Sequence, residues 1–257
     1  MLMKILVTND DGIYSPGIAA LAKVASRFGE VLIVAPNVEQ SSSGHAITST
    51  RPLYYKKSPI LFDGIDAYKV NGTPADCVAL GIFLANDVDL VLSGINMGPN
   101  LGNAIWHSGT LAAAKQATLF GVRGIAFSTP TKAQEPDFEF LDSFVADSLS
   151  LILEDPQLKL VNVNLPYQPT GIRWTRQSLQ FYDGEIVPGQ DPMGRQHYWF
   201  TVKPLEAAEK GSDRWALENG YVSITPLRLD LTSDEDLQRV LDNEPGTNRI
   251  HTPAVPH

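Results

Sequence analysis

Cysteine is almost absent from this sequence, and so is any long run of apolar residues. A single cysteine, Cys77, stands among 257 residues, which excludes an intrachain disulfide and a metal site made of several thiolates. Apolar runs such as Val31–Ala35 are far shorter than a helix that crosses a membrane. The apolar stretch at the N-terminus is also short, and acidic residues follow it at once, unlike a secretory signal. We therefore expect a cytoplasmic protein without membrane contact.

Positive charge is scarce as well, because 20 lysines and arginines stand against 29 aspartates and glutamates, for a net charge of −9. An acidic protein repels phosphate backbones at long range, so general nucleic-acid binding is not expected. A protein of this charge that handles phosphate needs a local source of positive charge.

The signatures of three common enzyme classes are missing too. The sequence contains neither Gly-x-Gly-x-x-Gly nor a Walker A motif, so dinucleotide oxidoreductases and P-loop NTPases lose their main support. A Gly-x-Ser-x-Gly nucleophile elbow is likewise absent, which disfavours a nucleophilic Ser41 with His45 as its base. We interpret Ser41 instead as a ligand, and His45 as a polar wall or phosphate contact.

The first 166 residues alternate short, apolar, β-branched runs with amphipathic segments. Two of the helix starts are marked by an N-cap followed by proline, at Ser15-Pro16 and Thr73-Pro74. The alternation predicts an α/β core over residues 1–166, with a mostly parallel sheet and helices on both faces. The predicted core strands are Lys4–Thr8, Val31–Ala35, Val88–Leu92, Gly124–Ser128 and Lys159–Leu165, and two of the predicted helices are Thr110–Leu119 and Asp137–Leu153.

Two further regions depart from this pattern. Residues 47–70 are predicted to form a protruding β-hairpin of two strands, Ile47–Lys57 and Ile60–Val70. After residue 167, short aromatic β-like pieces are separated by glycine and proline, and one more helix is predicted at Asp234–Leu241. We therefore predict a smaller β-rich region over residues 167–257, with a loose or docked tail at its end.

Polar, glycine-rich loops follow three of the predicted strands. Ligands of an open parallel sheet bind beyond the carboxyl ends of its strands, so these loops form the candidate site. The first loop contains Asn9, Asp10, Asp11 and Gly12, the second contains Ser41, Gly44 and His45, and the third contains Asn96, Gly98, Asn100, His107, Ser108, Gly109 and Thr110.

The adjacent carboxylates Asp10 and Asp11 are the most informative feature of these loops. Two anions side by side raise each other's pKa unless a cation lies beside them. Because the neighbouring donors are oxygens, a hard divalent ion such as Mg²⁺, Mn²⁺ or Ca²⁺ is indicated. The hydroxyl of Ser41 and the carbonyl of Asn96 can complete its ligand set. The alternative is a simple turn, for which Asn-Asp-Asp-Gly is well suited.

The segment from Ser108 to Thr110 begins a predicted helix and offers hydroxyls, a glycine and unpaired backbone N–H groups. Such a helix start binds phosphate through its dipole and its free donors. The alternative is that Ser108 or Thr110 only caps the helix, which is the commoner use of these residues. We predict a phosphate site here, beside the metal site, with Asn9, Gly44 and Gly98 as further contacts.

A series of short motifs runs in order between about residues 4 and 232. They are Ile5–Ile13, Pro16–Ile18, Val34–Pro36, Ser41 with Ser43–His45, Gly72–Val78, Ser93–Gly102, His107–Thr110 and Glu218–Leu227. The ordered set resembles the SurE family of stationary-phase survival proteins, which are metal-dependent nucleotidases. Asn37 departs from the family, which often has aspartate after Val-Ala-Pro.

The resemblance implies a Rossmann-like core, a smaller β-rich region used in oligomerisation, and hydrolysis of nucleoside 5′- and 3′-monophosphates. It also implies homodimers or homotetramers with one divalent metal ion per subunit, and its metal ligands carry over to the two aspartates, the serine and the asparagine proposed above. These are Asp10, Asp11, Ser41 and Asn96.

Our hypothesis is a phosphomonoesterase in which a metal-activated water attacks phosphorus in line. Asp10, Asp11 and Asn96 are its predicted catalytic residues, and His107 is one candidate for the acid that protonates the leaving oxygen. Two rivals remain open at this point. One is an aspartyl-phosphate enzyme with Asp10 as nucleophile, and the other is a non-catalytic, oligomeric nucleotide sensor.

Overall fold

The computed structural model describes residues 2–60, 62, 64–131, 135–179, 184–202 and 208–243. The chain divides into two compact units, Met1–Leu227 and Arg228–His257. All of the predicted site residues belong to the first unit. In the described part of the chain, no helix is both long and apolar enough to cross a membrane.

The first unit is built on a nine-stranded sheet with the strand order β3-β4-β2-β1-β5-β6-β7-β11-β8. Six adjacent strands, from β4 to β7, pair in parallel, whereas β3 and β11 pair antiparallel with their neighbours β4 and β7. The strands of this sheet are β1 (Met3–Thr8), β2 (Gly29–Pro36), β3 (Tyr55–Lys57), β4 (Asp66–Val70), β5 (Leu90–Met97), β6 (Arg123–Thr129), β7 (Leu160–Asn164), β8 (Gly171–Trp174) and β11 (Tyr221–Leu227).

Helices cover both faces of the sheet because the central strands are apolar on both sides. In β1, Ile5 and Val7 belong to one buried cluster, whereas Leu6 belongs to the other. The first cluster contains residues of α1 and α4, and the second contains residues of α2 and α3. The predicted α/β fold is thereby confirmed. The helices of this unit are α1 (Pro16–Ala25), α2 (Pro74–Ala85), α3 (Gly109–Leu119), α4 (Phe138–Leu153) and α5 (Asp213–Glu218).

The helix starts follow from local sequence. Ser15 caps α1, with Pro16 in its first turn. Thr73 and Asp76 form a reciprocal capping box at the start of α2, in which each side chain accepts a hydrogen bond from the other residue's backbone N–H.

The hairpin predicted at residues 47–70 is present as an antiparallel pair of strands, but it is shorter than predicted and does not protrude from the sheet. Its two strands are limited to β3 and β4, and β4 also pairs in parallel with β2, so the hairpin forms an edge of the main sheet. A separate two-stranded antiparallel sheet lies later in the chain, formed by β9 (Gly184–Gln190) and β10 (Gln196–Val202).

The structure also differs from the sequence prediction after residue 166. Strands β8 and β11 come from the segment assigned to a separate β-rich region, yet both extend the main sheet beyond β7. The first compact unit accordingly runs to Leu227, and the predicted boundary at residue 166 falls inside it. In the second unit, α6 spans Asp234–Asn243, and the tail predicted from Glu244 lies outside the described residues.

Candidate functional site

The candidate site lies at the carboxyl ends of β1 and β5, where the strand order of the sheet changes direction. Strand β1 pairs with β2 on one side and with β5 on the other. The connections from such a pair of strands diverge to opposite faces of the sheet and leave a crevice between them. Asp10 and Asp11 follow β1, and Asn96 lies near the end of β5.

A tight turn presents the two aspartates. Asn9 is fully buried, and both ends of its side-chain amide are used by Gly12, whose carbonyl accepts at 2.9 Å and whose N–H donates at 3.1 Å. Gly12 has φ +89°, a conformation that favours glycine. Asn9 was predicted as a phosphate contact, but its polar atoms hold this turn together.

Asp10 is a buried carboxylate that depends on the start of α3. It is 5% exposed, and its Oδ1 accepts a hydrogen bond of 2.7 Å from the hydroxyl of Thr110. Burial raises the pKa of Asp10 to about 6, the Thr110 hydroxyl opposes that rise, and the negative charge of Asp11 adds to it. Among the residues that the structure describes, no positive charge compensates this carboxylate.

Asp11 is tied to the end of β5 and is less buried than Asp10. Its Oδ2 accepts a hydrogen bond of 3.1 Å from the backbone N–H of Met97. Burial raises its pKa, the Met97 N–H opposes this, and the charge of Glu39 adds to the rise. Glu39 lies in the same polar loop as Ser41, but sequence reasoning missed it because it belongs to no motif.

Asn96 lies at an irregularity in β5, one residue before Met97, whose N–H binds Asp11. The register between β5 and β6 shifts between Ser93 and Asn96, as at a β-bulge, which re-aims nearby side chains. The Nδ2 of Asn96 donates to the carbonyl of Gly98 at 2.6 Å, so its Oδ1 is the atom available to a cation. The strand continues to Met97, five residues beyond its predicted end at Leu92.

Ser41 is connected to the same turn through its own loop. The backbone N–H of Gln40 donates to the carbonyl of Asp10 at 2.7 Å, and the Ser41 hydroxyl donates to Oε1 of Glu39 at 2.5 Å. Because this bond uses the hydroxyl proton, the lone pairs of Ser41 Oγ remain usable by a metal ion. Hydrogen bonds thus join the aspartate turn to the loop that carries Ser41 and to Met97, the residue after Asn96.

Three of the predicted phosphate residues, Ser108, Gly109 and Thr110, lie at the start of α3. Gly109 and Thr110 lie against Asp10, since a Cβ added at Gly109 would be 2.8 Å from Asp10 Cβ. Ser108 accepts a hydrogen bond from the N–H of Leu111 at 3.1 Å and so caps α3.

Gly44 donates its N–H to the carbonyl of His107 at 3.0 Å, joining the Ser41 loop to the α3 start. His45 Nε2 lies 2.7 Å from Oε1 of Gln116, which is about two turns into the helix.

A buried polar network behind Thr110 joins Asn100, which lies in the predicted third loop, to Ser128, Asn162 and Asn164, which were not predicted as part of the site. Asn100 Nδ2 donates to Thr110 at 3.2 Å and to Ser128 at 2.8 Å. The carbonyl of Asn100 accepts from the side chains of Asn162 and Asn164. The sequence does contain one signal of this network. Asn162 and Asn164 stand two residues apart in the otherwise apolar strand β7, so both side chains point to the same face of the sheet.

The donor set fits a hard divalent cation. Within the described ranges, neither Asp10 nor Asp11 takes part in an ion pair with lysine, arginine or histidine. In the same ranges, no three histidine, cysteine, aspartate or glutamate side chains gather as a metal site. The candidate set is therefore two carboxylates with neutral oxygens, which suits magnesium, manganese or calcium rather than a softer ion.

Another concave region lies at the opposite end of the sheet. A cleft of about 400 Å³ is lined by the first residues of β1 and β2, among them Lys4 and Glu30, and by Asp66. It contains none of the residues predicted for the site.

Comparisons with known proteins point to one family. The family model described as Survival protein SurE matches residues 5–184. The chain is 46% identical over 235 residues to "5′-nucleotidase SurE 1" of Thermus thermophilus, covering 90% of this chain and 94% of that protein. It is 43% identical over 239 residues to "5′-nucleotidase SurE" of Deinococcus radiodurans, covering 90% and 88%. The crystal structure of the SurE protein from Aquifex aeolicus is similar, with a TM-score of 0.79 and 39% identity over 92% of this chain and 98% of that one.

Proposed function

This chain belongs to the SurE family, and we propose that it hydrolyses nucleoside 5′- and 3′-monophosphates to nucleoside and phosphate with the help of a divalent metal ion. The observation that carries the proposal is the pair of uncompensated carboxylates, Asp10 and Asp11, at the point where the strand order reverses. The Thermus thermophilus and Deinococcus radiodurans relatives are both named 5′-nucleotidases, which supports the substrate class.

Four oxygen donors would hold the ion: the carboxylates of Asp10 and Asp11, Oγ of Ser41 and Oδ1 of Asn96. A bound divalent ion supplies positive charge to the phosphoryl oxygens and lowers the pKa of a water molecule. It would also provide the local positive charge that a protein of net charge −9 otherwise lacks.

The remaining groups of the site have separable roles in this proposal. Asp10 is fixed by Thr110 and serves as an anchoring ligand, whereas the more accessible Asp11 orients the attacking water and accepts its proton at Oδ1. The backbone N–H of Gly109 and the positive end of the α3 dipole, with the side-chain amide of Asn96, hold the phosphate oxygens and offset the charge that develops on them.

A phosphate-release assay with AMP tests the proposal. We expect release in Mn²⁺ or Mg²⁺, loss of release in EDTA, and recovery when metal is restored. The variants Asp10→Asn and Asp11→Asn should lose at least about a hundredfold in kcat, because each removes a charged ligand or the water's acceptor. Asp66→Asn is the matched control, since Asp66 pairs with Lys57 on the exposed sheet edge, and it should keep full activity.

The two rival functions make different predictions in the same experiment. A nucleotide sensor binds AMP without releasing phosphate at any metal concentration. An aspartyl-phosphate enzyme forms a covalent phosphate on Asp10 that can be trapped during turnover. Comparing 5′-AMP with 3′-AMP as substrate tests the dual specificity, and absence of release from 3′-AMP would restrict the activity to 5′ esters.

We further propose a homodimer or homotetramer in the cytoplasm. Support for the oligomer comes from the separate sheet of β9 and β10, where Tyr198, Trp199 and Phe200 are between 60% and 67% exposed in the single chain. Because successive residues of a strand point to opposite faces, both faces of this small sheet expose aromatic side chains, and exposed apolar surface of this size is typical of an interaction surface. Light scattering after size-exclusion chromatography should give two or four times 28.1 kDa, and a mass of one chain at micromolar concentration would contradict the proposal.

A further inference from the structure

Trp106 is an exposed aromatic residue at the rim of the site, and none of the roles assigned above uses it. It ends a short 3₁₀ helix, Gly102–Trp106, and is 51% exposed. The chain runs from it directly through the Ser108 cap to Thr110, whose hydroxyl holds Asp10 at 2.7 Å. Only three residues therefore separate Trp106 from Thr110, and a short ordered segment joins the backbone of Trp106 to the group that binds Asp10.

The backbone of Trp106 lies beside the loop that carries Ser41. A Cβ added at Gly44 would lie 3.5 Å from the carbonyl oxygen of Trp106. Gly44 also donates its N–H to the carbonyl of the next residue, His107, at 3.0 Å. The loop that carries Ser41 and the segment that begins α3 thus meet at Trp106.

Lys115 holds the indole from the side of α3. Its Nζ lies over the Trp106 ring, 5.1 Å from the centroid, which is a cation–π distance. Lys115 is half-buried on a helix whose residues 109–114 are all buried. The lysine therefore restrains the ring, while half of the surface of Trp106 stays open to solvent.

We propose that Trp106 is the stacking platform for the base of the nucleotide, and so a specificity-determining residue. The inference rests on the proposed function, which places the phosphate at Asp10 and the α3 start. A flat indole accepts any base, because every base has a π face. Purines should bind better than pyrimidines, since they offer a larger surface.

Steady-state kinetics of Trp106→Ala and Trp106→Phe test the proposal, with AMP, CMP and ribose 5-phosphate as substrates. For AMP, Trp106→Ala should raise KM about tenfold, the scale of one lost base–aromatic stack. The kcat should not change, because the base is remote from the reacting atoms. CMP should lose less than AMP, ribose 5-phosphate should lose nothing, and Trp106→Phe should stay close to the parent for all three.

Two further variants serve as controls. Trp174 on the edge strand β8 is 50% exposed, so Trp174→Ala matches Trp106→Ala in residue type and accessibility and should leave KM for AMP unchanged. Tyr14 is the rival platform, since it is exposed beside the aspartate turn and bonded to Lys69. A rise in KM for AMP in Tyr14→Ala but not in Trp106→Ala would overturn the proposal.

Other outcomes would overturn it too. An equal loss of kcat/KM for AMP and ribose 5-phosphate in Trp106→Ala would mean that Trp106 only shapes the phosphate site, and unchanged KM values would mean that it does not touch the base. Equilibrium dialysis of adenosine, which carries no phosphate and does not need the metal ion, separates this inference from the proposed function. If the protein cleaves no ester at all, weaker adenosine binding by Trp106→Ala still supports the stacking role, and equal binding refutes it.

Discussion

The surroundings of Asp10 disfavour its ionised form. It is almost completely buried, its pKa is raised to about 6, and its hydrogen bond from Thr110 offsets only part of the cost of burial. A group whose pKa is higher in the folded than in the unfolded state binds its proton more tightly when folded. In the metal-free protein, stability should therefore fall as the pH rises from about 4 to about 6.

The variant Asp10→Asn should be more stable than the parent when metal is absent. The amide keeps the oxygen that accepts from Thr110 but carries no charge, so the cost of a buried anion disappears. In EDTA at pH 8 we expect a gain on the order of 2 kcal/mol, seen as a higher Tm, together with loss of activity. The gain should shrink at pH 5, where Asp10 is mostly protonated.

A parent protein that is the more stable of the two at both pH values would contradict this picture of Asp10. Asp66→Asn again serves as the control, because Asp66 is an exposed partner of Lys57 and its removal should change Tm little.

At the scale of elements, the start of α3 and the end of β1 approach so closely that only glycine fits between them. A Cβ at Gly109 would lie 2.8 Å from Cβ and 3.0 Å from Oδ2 of Asp10. The backbone conformation of Gly109 does not require glycine, so the demand comes from this contact alone.

Gly109→Ala should therefore move Asp10 and impair the site without unfolding the protein. Displacing a catalytic group by about 1 Å can cost about a hundredfold in rate, so we expect a loss of that order in kcat/KM, with weaker Mn²⁺ binding by calorimetry. Leu119→Ala, at the exposed end of the same helix, is the control. Wild-type activity and metal affinity in Gly109→Ala would show that the contact is not needed.

The capping box at the start of α2 stabilises the fold and contains none of the predicted site residues. Asp76 accepts backbone hydrogen bonds from Thr48 and Thr73, both at 2.9 Å. Burial raises the pKa of Asp76, but these bonds outweigh that effect and leave the pKa lowered. The stability that Asp76 contributes is therefore present above about pH 4 and is lost as the pH falls below that value.

Asp76→Ala should cost about 1–2 kcal/mol at pH 7, the usual scale of a lost cap. For a chain of this size that corresponds to a drop in Tm of about 2–8 °C. The drop should be smaller at pH 3 than at pH 7, and activity at 25 °C should be retained. A Tm equal to that of the parent at pH 7 would show that water replaces the carboxylate without penalty.

At the scale of the whole molecule, the sequence was most informative where structure is encoded locally. The parallel core strands β1, β2, β5, β6 and β7 could be predicted because each contains a continuous apolar run, and the helix starts at Ser15 and Thr73 because each has its own cap. Strands β8 and β11 could not be assigned to the main sheet, since their pairing with each other and with β7 joins residues about 50 positions or more apart. The extension of β5 through Gly94 was hidden because glycine there resembles a loop.

The site residues that follow directly from local sequence could be predicted, whereas those that depend on long-range packing could not. Asp10, Asp11 and Ser41 lie in loops after parallel strands and Asn96 lies near the end of another such strand, and the carboxyl ends of parallel strands meet at one edge. The network of Asn100, Ser128, Asn162 and Asn164 depends on which faces of distant strands oppose each other. Glu39 lies near Asp11 only because its loop folds back over the turn, which spacing alone does not reveal.

The central claim is that one divalent cation binds between the first turn, the Ser41 loop and the end of β5. The most direct test is the anomalous difference map of a crystal soaked in Mn²⁺. We predict a single strong peak bonded to Asp10 and Asp11, with Ser41 or Asn96 among its ligands, at the distances of about 2.0–2.6 Å that hard cations keep to oxygen. A protein that releases phosphate from AMP while its manganese peak lies away from both carboxylates would contradict the account.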